Sequence, residues 1–255
     1  MVGILEALLL GIIQGITEWL PVSSSGHLAL AQNFLKIEQP VVLDLWLHVA
    51  TLLVVFLIFH KELLNVIKGF FTFNPKNRDF MLAVYLIIGS LITGVIGVIF
   101  NDFFVNAFEN LRIIGIGFLI TAGFLFFSKH GKNNKSLNLV DAVVVGLVQG
   151  LSILPGVSRS GSTISSGLIF NARREEIAVF SFLLAVPAIL GGFVFQFNQS
   201  GFTIAIVPLV IGFLASFVVG YASLKWLLKV IYHGKFHYFG WYVLILGIIT
   251  LIVSI

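Results

Sequence analysis

Glu18, His27 and Arg159 stand in stretches otherwise suited to lipid, and each has hydroxyls beside it. Around the first two the chain reads GIIQGITEWLPVSSSGH, residues 11 to 27; around the third it reads GLVQGLSILPGVSRSGS, residues 146 to 162. Both segments run Gly-x-x-Gln-Gly, then Thr or Ser, Leu-Pro and Ser-x-Ser-Gly; matching Gly, Gln and Ser-x-Ser-Gly positions are 135 residues apart, the Leu-Pro pairs 134. Gln14 and Glu18, four apart, share a helical face. Pro21 ends that helix, and Ser23, Ser24, Ser25, Gly26 and His27 follow. In the second segment Pro155 and Gly156 lead into Ser158, Arg159, Ser160, Gly161, Ser162 and Thr163. The planar guanidinium of Arg159 suits phosphate oxygens. Gly161 lets backbone amides turn toward an anion, and a helix opening there points its positive end at the same place. A carboxylate, an imidazole, several hydroxyls and a guanidinium form a phosphate-handling inventory, and phosphoryl transfer needs mostly positioning and charge neutralisation.

Each piece also has a plainer reading. A carboxylate at membrane depth costs about 2.5 to 3.5 kcal/mol on insertion scales. Glu18 avoids that cost equally well at the membrane surface, or bonded to the backbone of its own break. Ser-x-Ser-Gly alone is a helix cap, and an Arg159 to Glu18 pair alone is structural glue. Asp44 and His48, four apart at the start of a crossing, read either as support for the first tip or as an internal hydrogen-bonded pair near the outer interface. Gln149 repeats Gln14 and is expected to bond the broken backbone of its own segment. The pairs Gly11 with Gly15 and Gly146 with Gly150 have the spacing that permits close helix packing. Arg173, Arg174, Glu175 and Glu176 read as a turn and helix start, without a functional role.

The elements that must carry these residues are membrane helices. With 58% hydrophobic and 10% charged residues and a mean hydropathy of +1.07, the chain is far from the soluble average of roughly a quarter charged. Its 255 residues give room for about eight apolar passes and no separate soluble domain. Cysteine is absent, which excludes disulfides and thiol chemistry. The net charge of +4 comes without a basic cluster interleaved with aromatics, so nucleic acid is not an expected partner. The 26 Phe read as lipid-facing bulk, and no cleavable signal is expected, because the first Lys or Arg is Lys36.

Apolar segments run at about 2 to 20, 41 to 59, 81 to 100, 111 to 127, 140 to 154, 177 to 196, 203 to 223 and 240 to 255. Loops 60 to 80, 128 to 138, 171 to 176 and 224 to 239 hold twelve of the 15 Lys and Arg, which makes them cytoplasmic; loops 21 to 40, 101 to 112 and 197 to 202 are then external. Segment 140 to 170 therefore enters the membrane and returns to the same side. Its legs, about 22 Å and 13 Å at 1.5 Å per residue, are short against a core of about 30 Å. It is expected to be a re-entrant hairpin with PGVSRSG at its tip, and residues 2 to 36 the matching one, although Val2 to Leu20 is long enough to span alone. Three crossings after each hairpin invert the second copy, so the two tips meet inside the bilayer. The expected fold is thus an all-α polytopic membrane protein. It is an inverted-topology repeat of two units, each a re-entrant helical hairpin plus three transmembrane helices. The chain forms one membrane domain, 1 to 255, with repeat one at 1 to 127, a cytoplasmic loop at 128 to 138 and repeat two at 139 to 255.

QGITEWLPVSSSGH and LPGVSRSGSTIS resemble the two signature motifs of the undecaprenyl pyrophosphate phosphatase family, known for bacitracin resistance. The likeness extends over essentially the whole chain, including FSFLLAVPA at 180 to 188. It implies removal of one phosphate from the polyisoprenoid pyrophosphate carrier left after cell-wall polymer synthesis, at the outer face of the bacterial cytoplasmic membrane. The family's first motif allows Glu or Gln at Gln14, followed by Glu18; its Ser and His correspond to Ser24 and His27, and the Ser, Arg and Thr of its second motif to Ser158, Arg159 and Thr163. Gln14 leaves one carboxylate where other members have two, which weakens any scheme that needs both for metal binding. The expected catalytic residues are Glu18, Ser24, His27 and Arg159. Substrate contacts are expected from Gln14, Ser23, Ser25, Ser158, Ser160, Gly161 and Thr163. A divalent cation, Mg2+ or Ca2+, is expected at Glu18. Ser24 is the chosen nucleophile, with His27 and water as the alternatives. The partners are a polyprenyl pyrophosphate and membrane lipid, with a homodimer left open. A lipid flippase or anion transporter built on the same repeat is the competing function, and a structural scaffold a weaker third.

Overall fold

The computed structural model describes residues 2–37, 41–200 and 205–254, with the side chains of 197–200 left out; of the external loop expected at 197 to 202, the first four residues belong to a helix instead, and the rest, with the start of the segment expected at 203, lies outside the described residues. The described residues form α1 (Ile4–Thr17), α2 (Ser24–Leu35), α3 (Val41–Ile58), α4 (His60–Phe70), α5 (Arg78–Ile99) and α6 (Asn101–Ala107). They continue with α7 (Leu111–Ser128), α8 (Leu139–Leu151), α9 (Arg159–Ile169), α10 (Arg174–Ser200), α11 (Ile206–Tyr232), a 3-10 turn at Phe236–Tyr238 and α12 (Phe239–Val253). No strand occurs among them, only an isolated bridge between Lys135 and Ala172.

Six of these helices are long and apolar enough to cross a membrane: α3, α5, α7, α10, α11, and α12 together with the turn before it. In lipid each backbone group must find a partner within the protein, so helix starts matter. Asn77, Asn110 and Asn138 each accept amides of the helix they open, and Asp141 returns a bond to the Asn138 amide. The first apolar segment is shorter than the span its composition allows: α1 has 14 residues, about 21 Å, and α8 has 13, about 20 Å, both short of a core of about 30 Å. Both are shorter apolar helices than the six above. Two stretches read as loops contain helices, α4 and α6. In α4, Leu63 and Val66 pack on the core while Leu64 and Ile67 face outward, an alternation masked in the sequence by Lys61, Glu62 and Lys68.

Helix partners follow a regular exchange. α1 lies along α11 and α8 along α5, α3 touches α10 and α11, α10 touches α5, and α7 pairs with α12. Small residues set the close approaches of α1 to α11 and of α8 to α5. A Cβ on Gly15 would sit 2.8 Å from the Ser216 carbonyl, and one on Gly146 would sit 2.8 Å from the Gly89 Cα. The Gly-x-x-x-Gly pairs therefore do the packing their spacing predicts. Not all Phe face lipid: Phe118, Phe180 and Phe182 are fully buried with Trp19 in the main core, whereas Phe34, Phe71 and Phe127 are exposed.

Gln149 corrects one expectation. Its Nε2 reaches outside its own segment, to Thr93 Oγ1 and the Leu184 carbonyl, both at 3.3 Å. That carbonyl lies in α10 beside the break made by Pro187, whose missing amide leaves the neighbouring Leu183 carbonyl without its helical donor. Arg173, Arg174 and the two acids do open α10, and Glu176 there accepts the Leu137 amide at 2.9 Å and pairs with Arg78 and Arg173.

Candidate active site

The two Ser-x-Ser-Gly clusters fold alike. Ser23 caps α2, its Oγ accepting the Gly26 amide at 3.3 Å; Ser158 caps α9, its Oγ accepting the Gly161 amide at 3.1 Å. In each, the third residue of the cluster bonds the capping hydroxyl, Ser25 at 3.1 Å and Ser160 at 3.4 Å. These serines and the Gly161 amide are thereby engaged in building the two helix starts. What each cluster presents is its second residue, Ser24 in one and Arg159 in the other.

Both of those residues converge on Glu18, which follows the last turn of α1 and is almost entirely buried. Arg159 Nη2 donates to Glu18 Oε1 at 2.5 Å across 141 residues of chain. Ser24 Oγ donates to Oε2 at 2.6 Å, and Gln14 Nε2 donates to the same oxygen at 2.9 Å. The pairing offsets the cost of two charges out of water. Trp19 lies under the guanidinium, 5.2 Å from ring centroid to Cζ. The tips also touch directly: Ser160 Oγ donates to the Leu20 carbonyl at 3.2 Å, a Cβ on Gly161 would lie 3.2 Å from the Pro21 Cβ, and one on Gly26 would lie 3.0 Å from the Gly156 Cα.

The turn before α9 is held from behind by α7. Gly156, with φ of +88°, takes the left-handed conformation that glycine tolerates. Thr121 Oγ1 donates to the Gly156 carbonyl at 2.9 Å and accepts the Ser158 amide at 2.8 Å. Thr163 also sits behind Arg159: its hydroxyl lies 2.6 Å from the Arg159 carbonyl and 2.6 Å from Ser181 Oγ, with no exposed surface. Thr163, expected among the substrate contacts, thus stands behind Arg159, against its carbonyl and Ser181.

His48 joins the cluster, and so answers the question its spacing with Asp44 left open. Its Nε2 lies 3.5 Å from Glu18 Oε2, while its Nδ1 donates to the Asp44 carbonyl at 2.7 Å. The Asp44 carboxylate bonds Gln32 at 2.8 Å instead. His27 has its contacts elsewhere, with the Ser23 carbonyl and Tyr242. Tyr242, Thr121, Ser181 and Gln32 join this cluster from outside the two motifs, and Trp19, inside the first motif, was not singled out by the sequence.

Among the described residues, several buried polar atoms of this region have no partner: Gln14 Oε1, Trp19 Nε1 and Arg159 Nη1. A buried guanidinium with one prong bonded and one free is set to take a further anion oxygen. No group of three or more His, Asp or Glu that could cage a metal occurs among the described residues.

Comparison with known proteins gives the family of the chain. The bacitracin resistance protein BacA family model matches residues 7–249. An undecaprenyl-diphosphatase of Treponema denticola is 40% identical over 259 residues, covering 96% of this chain and 96% of its own. One of Methanosphaera stadtmanae is 37% identical over 277 residues, covering 100% and 99%, and undecaprenyl-diphosphatase 1 of Bacillus cereus is 36% identical over 262 residues, covering 98% and 97%. With a multi-pass apolar framework, both motifs and full-length similarity in hand, the chain belongs to the bacitracin resistance protein BacA family.

Proposed function

We propose that this chain is an integral-membrane undecaprenyl-diphosphatase, hydrolysing a polyisoprenyl pyrophosphate to the monophosphate and phosphate. One observation carries the reading: Arg159, buried between the two tips, keeps Nη1 without an acceptor while Nη2 holds Glu18. A pyrophosphate oxygen is the partner that planar fork suits best. The first two amides of α9, at Arg159 and Ser160, have no acceptor within the helix and add their dipoles to the same place.

In the mechanism we infer, Ser24 attacks the terminal phosphorus. Its proton passes to Glu18 Oε2, which already accepts the hydroxyl at 2.6 Å. The new bond is Ser24 Oγ to phosphorus; the bond that breaks joins that phosphorus to the bridging oxygen, which leaves with the lipid monophosphate. Water then attacks the seryl phosphate; Glu18 returns its proton to Ser24 Oγ as the bond from that oxygen to phosphorus breaks, the water gives its proton to His27, and phosphate is released. His27, three residues after Ser24 and on the same face of α2, handles the proton of the second step. Arg159 offsets charge on the equatorial oxygens throughout.

The donor set fits a divalent cation only in part. Glu18 and the unpartnered Gln14 Oε1 are two oxygen ligands, too few for a Ca2+ cage but in keeping with Mg2+ held by one carboxylate together with substrate phosphates. When bound, such an ion neutralises pyrophosphate charge.

Architecture supports the same reading. The exchange of partners, α1 with α11 against α8 with α5, and the matching caps of α2 and α9 fit an inverted repeat, 1 to 127 and 139 to 255, whose short helix pairs re-enter from opposite leaflets. The positive-inside pattern supports a site open to the outer face of a cytoplasmic membrane. The test is phosphate release by purified protein in detergent from a long-chain polyprenyl pyrophosphate. The parent releases phosphate, while Ser24→Ala and Arg159→Ala lose at least about 100-fold. Lipid translocation in vesicles without phosphate release would replace this reading with a flippase.

A further inference from the structure

His27 is fixed on three sides. Its Nδ1 lies 2.8 Å from the Ser23 carbonyl, which only accepts, so Nδ1 carries a proton. In the neutral ring Nε2 is then an acceptor, and the atom 2.8 Å from it is the Tyr242 hydroxyl, which donates. The two rings are nearly parallel, 9° apart with centroids at 5.8 Å. Phe118 meets the imidazole edge-on at 5.5 Å and is itself fully buried. Tyr242 comes from α12, 215 residues away, and α12 packs on α7, which carries Phe118.

The position of Tyr242 argues against simple filler. It is half exposed on a helix whose neighbours Trp241 and Ile245 also face outward, so a Leu or Phe would serve lipid contact as well. Its hydroxyl instead takes the one ring nitrogen that α2 leaves free. It does so in either charge state of the imidazole, because a phenol donates to the neutral ring and accepts from the protonated one.

We propose that Tyr242 is a positioning residue for the phosphatase reaction: it fixes the tautomer and direction of His27 and holds Nε2 until a substrate oxygen or water takes its place. This rests on the function proposed above. With Nδ1 committed to Ser23, Nε2 is the nitrogen left for proton transfer, and α12 is thereby tied to a site that the motifs place on the hairpins alone.

The experiment uses the full chain in detergent with polyprenyl pyrophosphate as substrate, comparing Tyr242→Phe, His27→Gln and the double variant. Side-chain 15N spectra of histidine-labelled protein are recorded beside the kinetics, with the His27 signals assigned by their loss in His27→Gln. Tyr242→Phe keeps the ring and the stack, so it lowers kcat about three- to tenfold with KM unchanged and moves the Nε2 resonance. The double variant is no slower than His27→Gln, because Tyr242 acts through His27. An unmoved Nε2 resonance with full kcat in Tyr242→Phe overturns the proposal, and so do losses that multiply in the double variant. Full kcat in His27→Gln overturns the role in turnover. A parent that releases no phosphate sinks the proposed function, and the Nε2 resonance then still reports whether Tyr242 holds the ring.

Discussion

Gln14→Glu is the substitution that separates the metal question from the rest of the site. Gln14 Nε2 now donates to Glu18 Oε2 at 2.9 Å. A carboxylate there removes a donor and sets a second negative charge about 4 Å from the first, a repulsion of about 4 kcal/mol at an effective dielectric of about 20. Arg159 holds the far oxygen of Glu18 through Nη2, and turning its free Nη1 to the new group would take away the prong offered to the substrate. The pair must share a proton or take a divalent cation. Phosphate release is measured against Mg2+ concentration, and with chelator, for parent and variant. The variant reaches half-maximal rate at a Mg2+ concentration lower by at least about tenfold, since the ion relieves a repulsion the parent lacks, and it loses more activity in chelator. Superimposable Mg2+ curves would refute the placement of Gln14 and Glu18 in a shared metal position.

Two further substitutions test the framework. Thr121→Val keeps the shape of α7 but leaves the buried Ser158 amide without its acceptor, which lowers stability by about 1 to 3 kcal/mol; a thermal melt in detergent shows a lower midpoint, and an unchanged melt counts against this contact. Gly146→Leu forces α8 off α5, because its Cβ alone would come within 2.8 Å of the Gly89 Cα, whereas Gly94→Leu meets nothing within 4 Å. The first variant melts lower than the second, and equal melts contradict the packing of these helices.

The chemistry of the site was legible where polar residues interrupt apolar sequence. Glu18, Ser24 and Arg159 stand out because lipid tolerates such groups only with a purpose, and the structure joins the three. Ser23, Ser25, Ser158 and Ser160 stood out equally, yet they cap and brace, since a motif does not tell which hydroxyl of a turn faces inward. Thr121, Ser181 and Tyr242 were hidden because each is a single polar residue on a crossing helix, where only the neighbour reveals its use. Gln149 was misassigned for the same reason: spacing gives its face on α8 but not the helix across from it. Of the fold, the six crossings follow from hydropathy. α4 and α6 do not, because a short amphipathic helix resembles a charged loop.

The central claim is that the two tips meet, and the absence of cysteine from the chain allows a direct measurement. Pro21 and Gly161 sit on opposite tips, with the Pro21 Cβ 3.2 Å from where a Cβ on Gly161 would lie, close to the range of about 3.5 to 4.5 Å that a disulfide needs. In membranes treated with a mild oxidant, the double variant Pro21→Cys with Gly161→Cys is predicted to lose both free thiols within one chain and to regain them on reduction. Two thiols that stay free under those conditions, while remaining open to a small alkylating reagent, would show the tips apart and contradict the account.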